Sequence, residues 1–437
     1  MTDFKPGKKL LLTNGEPIVI KSKIGEGGQG SVYKVTYNGA EYALKWYLSN
    51  YLKSLKPSCK KFYENLSNNV KSGSPSSHFL WMKAVAATGK NSKGFGYIMD
   101  LRPTNYSEFT KFIKAKEHFA NTQAVINAAI NIVEAFQALH RKGYSYQDLS
   151  PGNFFIDKSN GDVLICDNDN VAPDGSNLGV GGTPGYMAPE VILGKEKPGT
   201  NTDLFSLSVI LFELLFLAHP LEGENCCKHP CLTPKIEREL YAEHPVFVCS
   251  TTDRSNGPVR GICSNLMTLW PIYPDYIHDA FQAAFSEEAL HDGRKRKTEM
   301  FWRDILYRLL DDAAVCPCCG EINFASKSNG KEIVCTECHK KQILPYSIVT
   351  DQARVVAQNG KTLTQFHVSH GNRNVTIGTI VESKKTKGVY GLRNESPLIW
   401  AVEYPEKPIV SYEPGKTVTL ISQTKITIGN KTIRIED

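Results

Sequence analysis

The stretch Tyr146-Gln-Asp-Leu-Ser-Pro-Gly-Asn153 decides the fold of this chain. It follows residues 122–142, where apolar side chains recur at the spacing of a helix face, so the sequence predicts a helix there. The stretch itself is turn-prone and holds Asp148 five positions before its final asparagine. Residues 154–166 form two short apolar runs around a turn-rich segment, which is typical of a β-hairpin. The sequence therefore predicts a helix, a polar loop and a hairpin in succession, with Asp167 directly after the hairpin.

A glycine-rich segment, Gly25-Glu-Gly27-Gly-Gln-Gly30-Ser-Val32, lies between two strand patterns near the N-terminus. Glycine has no Cβ atom, so its backbone can turn tightly and approach phosphate oxygens closely. A dinucleotide-binding fingerprint of similar spacing would open a helix instead. The segment therefore indicates a phosphate-binding loop between two strands.

Lys45 lies on the next strand pattern, in Tyr42-Ala-Leu-Lys45. A single lysine on a strand is usually a solvated surface residue, but its pairing with the glycine-rich segment favours a contact with nucleotide phosphates. A lysine in that role needs a carboxylate to orient it. Glu64, on a stretch with helical spacing, is the best candidate, and a solvent-facing helix glutamate is an equally good interpretation of it.

Further motifs follow the polar loop in a fixed order. Cys166-Asp-Asn-Asp169 comes after the hairpin, Gly182-Thr-Pro-Gly-Tyr-Met-Ala-Pro-Glu190 follows, and Asp203 opens a helix pattern that is apolar nearly all round. With the earlier segments, these match in order the G-x-G-x-x-G-x-V, strand-lysine, H-R-D-x-x-x-x-N, D-F-G and A-P-E elements. The first 310 or so residues therefore resemble a eukaryotic-like Ser/Thr protein kinase domain of the Hanks type.

This resemblance implies phosphoryl transfer from ATP to Ser/Thr hydroxyls of a protein substrate. It implies that Asp148 accepts or orients the substrate hydroxyl proton, and that Asn153 and Asp167 hold Mg²⁺ (or Mn²⁺) on the β- and γ-phosphates. Lys45 would fix the nucleotide, oriented by Glu64. The further residues implied in ATP binding are Gly25, Gly27, Gly30, Val32, Ala43, Met99, Asp100, Leu101, Phe155 and Cys166. The resemblance also implies a structural ion pair between Glu190 and Arg296.

Three departures from the family pattern bear on activity. Gln147 replaces the arginine that captures a phosphate on the activation loop, so we expect activity that does not depend on loop phosphorylation through this contact. Ser150 replaces a lysine that helps to neutralise γ-phosphate charge, which implies reduced turnover. Asn168 and Asp169 replace the phenylalanine and glycine of D-F-G. An active kinase is the favoured interpretation, and a nucleotide-binding pseudokinase scaffold is the alternative.

Four cysteines after the kinase-like region have the spacing of a zinc ribbon. Cys316 and Cys319 form one C-x2-C pair, and Cys335 and Cys338 form a second pair, with fifteen residues between the two pairs. Two such pairs can surround one tetrahedral Zn²⁺, and four protein ligands make that site structural. Cys318 is then the spare thiol, or it could replace Cys319 in a shorter turn. A second group of cysteines and histidines, in residues 226–263, fits no defensible metal spacing.

The C-terminal residues, from about Pro345 to Asp437, alternate strand patterns with Gly/Asn turns, which predicts an antiparallel sandwich. The segments Thr376-Ile-Gly378 and Gly391-Leu-Arg-Asn394 resemble a degenerate forkhead-associated module. Thr379 stands where such modules carry a phosphate-binding arginine, so we do not expect phosphopeptide binding. Two interpretations of its role stay open: a docking or oligomerisation surface, and a cap that stabilises the ribbon.

The predicted fold class is α+β, with a bilobal kinase-like fold followed by a zinc ribbon and a small all-β sandwich. The expected domains are residues 1–314, with lobes meeting near residue 100, then 315–344 and 345–437. This order, with Trp302-Arg-Asp-Ile-Leu306 before the ribbon, resembles a group of bacterial kinases. The resemblance implies a von Willebrand A-domain protein and a PP2C-like phosphatase as partners, in stress-linked signalling.

The overall composition fits this interpretation. The chain has 437 residues, and 51 Lys+Arg against 45 Asp+Glu give a net charge of +6. An excess this mild over this length is not a nucleic-acid signature, and a nucleic-acid partner is not expected. The apolar runs are too short for a signal peptide or a membrane helix. We therefore expect a cytoplasmic protein with reduced cysteines and no membrane contact.

Overall fold

Two units make up the chain in the computed structural model, which describes residues 3–55, 58–87, 94–176, 178–179, 182–328, 331–369 and 371–437. The first unit comprises Met1–Ala120, Ala124–Trp270 and His278–Arg303. The second comprises Asn121–Gln123, Pro271–Ile277 and Asp304–Asp437. The division falls within one helix, upstream of the predicted boundary at residue 314. In the second unit, Lys361 Nζ donates to the carbonyl oxygen of Leu310 at 3.2 Å, which joins the end of that helix to the C-terminal sheets.

The N-terminal part of the first unit is a closed antiparallel barrel of six strands with two helices. Its strand order is β1-β2-β3-β4-β6-β5. The elements are β1 (Lys9–Leu12), β2 (Pro17–Glu26), β3 (Gly30–Tyr37), β4 (Ala40–Tyr47), α1 (Ser49–Ser54), α2 (Cys59–Ser72), β5 (Met82–Ala87) and β6 (Phe95–Asp100).

Side-chain alternation in β4 determines which face of the barrel carries Lys45. Leu44 and Trp46 belong to the apolar core of the barrel. Because successive side chains of a strand point to opposite faces, Ala43, Lys45 and Tyr47 share the other face. Strand pairing sets Lys45 opposite Val32 on β3, and Ala43 opposite Met99 on β6. The strand predictions for this region are confirmed.

Helices dominate the chain from residue 101 to residue 312, with short strands and 3-10 turns between them. The strands are β7 (Tyr106–Glu108), β8 (Tyr144–Ser145), β9 (Phe154–Asp157), β10 (Val163–Ile165) and β11 (Ala172–Pro173). The helices are α3 (Phe109–Ile113), α4 (Thr122–Arg141), α5 (Pro189–Ile192), α6 (Thr200–Phe216), α7 (Glu224–Cys227), α8 (Pro234–Arg238), α9 (Ser264–Leu269), α10 (Asp275–Ala284), α11 (Glu287–His291) and α12 (Glu299–Asp312). A π-helical turn, Glu239–Glu243, follows α8.

Helix α6 is the centre of this helical region, as its all-round apolar pattern predicted. Every residue from Thr202 to Phe216 is buried. The predicted ion pair lies beside it: Arg296 donates to both carboxylate oxygens of Glu190, at 2.6 and 2.7 Å. The pair is buried and bidentate, so the charges compensate each other where water does not reach them.

His140 at the end of α4 joins three helices through two carboxylates. Its Nε2 lies 3.0 Å from Asp203 on α6, and its Nδ1 contacts Glu299 on α12. Asp203 also accepts the backbone N–H of Tyr146, which fixes the start of the polar loop. Burial alone would lower the pKa of His140, but Asp203 and Glu299 outweigh it and raise the pKa to about 9.

The second unit is mainly β-structure. It contains two hairpins, made of β12 (Ala313–Val315) with β13 (Ile322–Phe324) and β14 (Glu332–Val334) with β15 (Lys341–Ile343). The remaining elements are β16 (Ser347–Val349), β17 (Arg354–Val356), β18 (Thr362–Thr364), α13 (Gln365–Ser369), β19 (Thr376–Glu382), β20 (Tyr390–Asn394), β21 (Trp400–Glu403), β22 (Val410–Tyr412), β23 (Thr417–Thr419), β24 (Lys425–Ile428) and β25 (Lys431–Glu436).

Two antiparallel sheets share the core of this unit. One has the order β17-β16-β25-β24-β21-β22 and the other β18-β19-β20-β23. Ile348 and Trp400 from the first sheet and Ile380 and Leu392 from the second lie in one buried apolar cluster. The expected sandwich is therefore present. Within the described residues, no helix is both long and apolar enough to cross a bilayer.

The raised pKa of His140 predicts how the stability of the first unit depends on pH. An imidazolium whose pKa is raised in the folded state stabilises that state fully below its unfolded pKa, and the effect is lost as pH rises through about 9. The contribution is roughly 3 kcal/mol. The thermal midpoint of His140→Gln should therefore lie below that of the wild type at about pH 6, and the gap should narrow by about pH 10. A gap that is the same at both pH values would contradict the charged triad.

Candidate active site

Lys45 lies at the centre of a buried polar cluster in the first unit. The residue is 5% exposed, and its Nζ donates to Gln29 at 2.9 Å, Asp167 at 3.1 Å and Asp169 at 3.1 Å. Burial alone would lower the pKa of Lys45, but Asp169 and Asp167 outweigh it and raise the pKa above its usual value. The lysine is therefore a cation held between two carboxylates.

Glu64 does not orient Lys45 in this structure. It is exposed on α2 and lies 3.7 Å from the Nζ of Lys60, one turn away on the same helix. The face of α2 that points inward instead carries Phe62 and Leu66, which are fully buried. Glu64 lies two residues from each of them, so the 100° advance per residue places it on the opposite side of the helix.

The glycine-rich segment is the turn between β2 and β3. Gly25 pairs with Val32, and the N–H of Gly27 donates to the carbonyl oxygen of Gly30 at 2.9 Å. Only glycine fits at position 30, because a Cβ atom there would lie 2.6 Å from the carbonyl oxygen of Trp46. The segment brings Gln29 against Lys45, which joins the loop to the strand lysine.

The polar loop holds Asp148 and Asn153 together. The Nδ2 of Asn153 donates to the carbonyl oxygen of Asp148 at 2.8 Å, which leaves the amide oxygen of Asn153 as an acceptor. One carboxylate oxygen of Asp148 accepts the Thr183 hydroxyl at 2.9 Å. Burial raises the pKa of Asp148, although the Thr183 contacts oppose it. A carboxylate with a raised pKa is a better proton acceptor.

Asp167 has a left-handed backbone, with φ +51°. This conformation is uncommon for a residue other than glycine and is typical of functional sites. Its side chain is 42% exposed, so it can reach a ligand from solvent as well as Lys45. Asn168, in place of the family phenylalanine, is fixed by donating its Nδ2 to the carbonyl oxygens of Leu80 and Ile165, at 2.9 and 3.0 Å.

Gln147, in place of the family arginine, contacts the following segment directly. Its Nε2 donates to the carbonyl oxygen of Ser176 at 2.7 Å, and its Oε1 accepts the N–H of Leu178 at 3.4 Å. Gln147 is buried and has φ +66°. The amide therefore binds the segment backbone without any phosphate.

The residues expected around adenine are found on the barrel strands and on the hairpin β9–β10. Ala43 and Met99 are buried neighbours on β4 and β6, while Val32 on β3 is half-buried. Phe155 on β9 carries the Arg102 guanidinium 3.8 Å from its ring centroid.

The remaining expected positions lie at the ends of β6 and β10. Burial and Asp167 raise the pKa of Cys166 to about 12, so its thiol is neutral. At the end of β6, the Asp100 side chain pairs with Lys83 at 2.9 Å, and Leu101 follows, half-buried.

Comparison with known proteins agrees with this geometry. A family model described as protein kinase domain matches residues 18–245, more than half of the chain.

This chain belongs to the protein kinase family.

Similarity to individual kinases is modest and partial. The dual specificity protein kinase shkB of Dictyostelium discoideum is 27% identical over 247 residues, which are 55% of this chain and 34% of that protein. The maternal embryonic leucine zipper kinase of Danio rerio is 32% identical over 142 residues, 31% of this chain and 20% of that protein. The CBL-interacting serine/threonine-protein kinase 5 of Arabidopsis thaliana is 33% identical over 123 residues, 27% of each chain. This kinase-family chain thus spans about a third or less of the length of these relatives.

The sequence did not predict four residues of the polar cluster around Lys45, which are Gln29, Tyr47, Tyr97 and Asp169. Asp169 is fully buried and accepts hydrogen bonds from Tyr47 at 2.7 Å and Tyr97 at 3.1 Å. An acidic residue in place of the D-F-G glycine was a visible signal. A carboxylate this close in sequence to a buried apolar run can be expected to be buried as well, and a buried carboxylate needs a partner for its charge.

The four cysteines of the predicted ribbon lie close together in the second unit. The sulfur atoms of Cys316, Cys319, Cys335 and Cys338 all lie within 4.8 Å of one another. Two of the distances, Cys316–Cys338 and Cys319–Cys335, are 3.7 and 3.6 Å. Sulfurs around tetrahedral Zn²⁺ lie about 3.8 Å apart, given a Zn–S bond of about 2.3 Å. The donor set and spacing therefore fit Zn²⁺.

Cys318 lies outside that group. Its sulfur is exposed and accepts from Lys340 Nζ at 3.1 Å. Both turns of the ribbon are closed by the same backbone hydrogen bond. The N–H of Gly320 donates to the carbonyl oxygen of Cys316, and the N–H of His339 donates to that of Cys335. Of the two alternatives for the first turn, the geometry selects Cys319.

The position of the C-terminal sandwich that resembles a phosphate-binding arginine is occupied by Thr379. Thr379 on β19 donates its hydroxyl to Glu395 at 2.8 Å. Arg393 on β20 lies opposite Thr379, and its guanidinium binds the same glutamate at 2.9 Å. The expectation that this module does not bind phosphopeptide stays a prediction, and these contacts support it.

The cysteine geometry predicts metal content. The purified protein should contain about one Zn²⁺ per chain, and the double variant Cys335→Ser/Cys338→Ser should contain none, since two thiolates do not hold structural zinc. Cys318→Ser is the matched control and should keep its metal. Elemental analysis of the three proteins checks this. A zinc-free wild type with the thermal stability of a zinc-loaded sample would contradict the site.

Proposed function

We propose that this chain is an ATP- and Mg²⁺-dependent protein serine/threonine kinase. The carrying observation is the convergence of Lys45, Asp148, Asn153 and Asp167. Lys45 contacts Asp167, Asn153 contacts Asp148, and the N–H of Cys166 donates to the Asn153 carbonyl at 2.8 Å. These are the charged and polar groups that phosphoryl transfer requires, because the reaction depends on positioning and charge neutralisation.

The oxygen donors in this site fit Mg²⁺. Asp167 offers a half-exposed carboxylate, and Asn153 offers an amide oxygen because its nitrogen is already bound to the Asp148 carbonyl. Mg²⁺ prefers such oxygen ligands. When bound, the ion would neutralise phosphate charge. The proposed Mg²⁺ site therefore needs no thiol or imidazole ligand.

We propose these roles for the remaining residues. Lys45 contacts the nucleotide phosphates, and the glycine-rich segment covers them. Asp148, oriented by Thr183, accepts or orients the proton of the substrate hydroxyl through its other carboxylate oxygen. Val32, Ala43 and Phe155 enclose adenine, with Cys166 at the floor of the pocket and Met99 at its back.

We propose a cytoplasmic signalling role for this kinase. None of its twelve cysteines is paired in a disulfide, which is typical of a reducing compartment. The resemblance to bacterial kinases with a zinc ribbon supports stress signalling, with a von Willebrand A-domain protein and a PP2C-like phosphatase as partners. The zinc ribbon and the sandwich would then present the docking surfaces.

A nucleotide-binding pseudokinase scaffold is the second candidate, and one observation favours it. Ser150 stands in the polar loop where active kinases carry a lysine, so one positive charge at the γ-phosphate is missing. The scaffold would bind Mg·ATP without transferring phosphate.

Phosphate transfer distinguishes the two candidates. With labelled ATP, Mg²⁺ or Mn²⁺ and a generic protein substrate, wild type should transfer phosphate to itself or to the substrate. Asp148→Asn and Asp167→Asn should each lower the rate at least roughly 100-fold, since each removes a charge used in the reaction. Asp253→Asn, an exposed aspartate whose backbone contact asparagine can keep, should behave as wild type. Nucleotide binding without transfer would favour the scaffold.

The Gln147 contacts predict activity that is independent of loop phosphorylation. Phosphatase treatment of the purified protein should leave its kcat unchanged, because an amide and not a phosphate binds the segment after the polar loop. The prediction would be contradicted if phosphatase treatment lowered the kcat of the wild type and had no effect on the kcat of Gln147→Ala.

A further inference from the structure

Asp169 is the most completely enclosed carboxylate next to the proposed nucleotide site. It is 0% exposed. Lys45 lies 3.0 Å from its Oδ2, Tyr47 donates to Oδ2 at 2.7 Å, and Tyr97 donates to Oδ1 at 3.1 Å. A buried carboxylate is stable only when its charge is paired and its oxygens are hydrogen-bonded, and both conditions are met here.

Two carboxylates contact Lys45, and their surroundings differ. Asp167 is 42% exposed and has the open position that a metal ligand needs. Asp169 is enclosed by Lys45 and two tyrosine rings, so a metal or a phosphate cannot replace those contacts without opening the core. If Asp167 turned to a metal ion, Asp169 would still be hydrogen-bonded to the lysine.

Helix α2 supplies no carboxylate that contacts Lys45. Phe62 from its inner face packs edge-on against Tyr47 at 5.1 Å between ring centroids. Asn65 and Asn69 from the same face donate to the carbonyl oxygen of Val171, at 2.7 and 2.8 Å. These contacts fix α2 against the segment that carries Asp169, with Glu64 on the outside.

We propose that Asp169 is the positioning residue that orients Lys45 toward the ATP phosphates, in place of a glutamate on α2. This inference rests on the proposed kinase function and adds a residue to it. Asp169 acts through Lys45 and does not touch the nucleotide. Tyr47 and Tyr97 hold its two oxygens in place.

Gln29 completes this arrangement. It is the third acceptor of Lys45 and belongs to the glycine-rich segment, at 2.9 Å. An ammonium group has three protons, which here go to Gln29, Asp167 and Asp169. A phosphate oxygen can take the place of the Gln29 amide while the bond to Asp169 persists.

The test compares carboxylate variants by their affinity for Mg·ATP and by their kinetics. In Asp169→Asn, kcat/KM for ATP should fall roughly 10- to 100-fold, as for a catalytic group displaced by about 1 Å. The KM for the protein substrate should not change. Tyr47→Phe and Tyr97→Phe keep the ring and should show smaller losses, about two- to tenfold, in the same parameter. They also serve if Asp169→Asn does not fold.

Two variants serve as comparisons. Glu41→Gln removes an exposed carboxylate on β4, 2.8 Å from Lys34, and should match wild type. Glu64→Gln tests the alternative glutamate directly and should also match wild type. A loss in Glu64→Gln with none in Asp169→Asn would overturn the inference.

A double-mutant cycle separates positioning from general stabilisation. In a Lys45→Met background, Asp169→Asn should cause no further loss of Mg·ATP affinity, because Asp169 acts only through the lysine. Equal losses in both backgrounds would show a structural role and overturn the inference. If wild type transfers no phosphate, the proposed function fails, and the Mg·ATP titration alone decides: weaker binding in Asp169→Asn supports the inference, and unchanged binding overturns it.

Discussion

The pairing of Lys45 with two carboxylates is the interaction on which the rest of the site depends. Burying an ammonium group costs several kcal/mol unless opposite charge and hydrogen bonds compensate it. Asp167 and Asp169 supply the charge, and Gln29 supplies a third acceptor. Because these acceptors come from the glycine-rich turn and from the segment after the hairpin, one cation joins the barrel to the helical region of the first unit.

Several other features of the first unit follow from holding that segment in place. Asn168 and Gln147 replace an aromatic side chain and a cation of the family pattern with amides bound to backbone atoms. Asn65 and Asn69 bind the same segment from α2. Amide contacts need neither a phosphate nor the movement of a ring. The site is thus held by neutral hydrogen bonds where many members of the family use switchable ones, and this agrees with the proposed independence from loop phosphorylation.

The order of motifs was enough to predict the fold and the strand that carries Lys45. The core positions of Leu44 and Trp46, which the structure shows, put Lys45 on the face away from the barrel core. The orienting carboxylate was not predicted, because matching residues to a family pattern assigns Asp169 the place of a glycine. The pattern of α2 contained the correction: Phe62 and Leu66 define its buried face, and Glu64 lies opposite. Cysteine spacing predicted the cluster of four sulfurs, since two short turns suffice to bring them together. The end of α12 belongs to the second unit, where Lys361 binds the carbonyl oxygen of Leu310, and no local pattern reveals this tertiary contact.

A crystal structure of the chain with Mg²⁺ and a non-hydrolysable ATP analogue tests the central claim most directly. The account predicts that the Nζ of Lys45 contacts both a phosphate oxygen and Asp169, with Asp167 on the metal and Glu64 still exposed on α2. A rotated α2 that brings Glu64 to Lys45, with Asp169 released from the lysine, would contradict it.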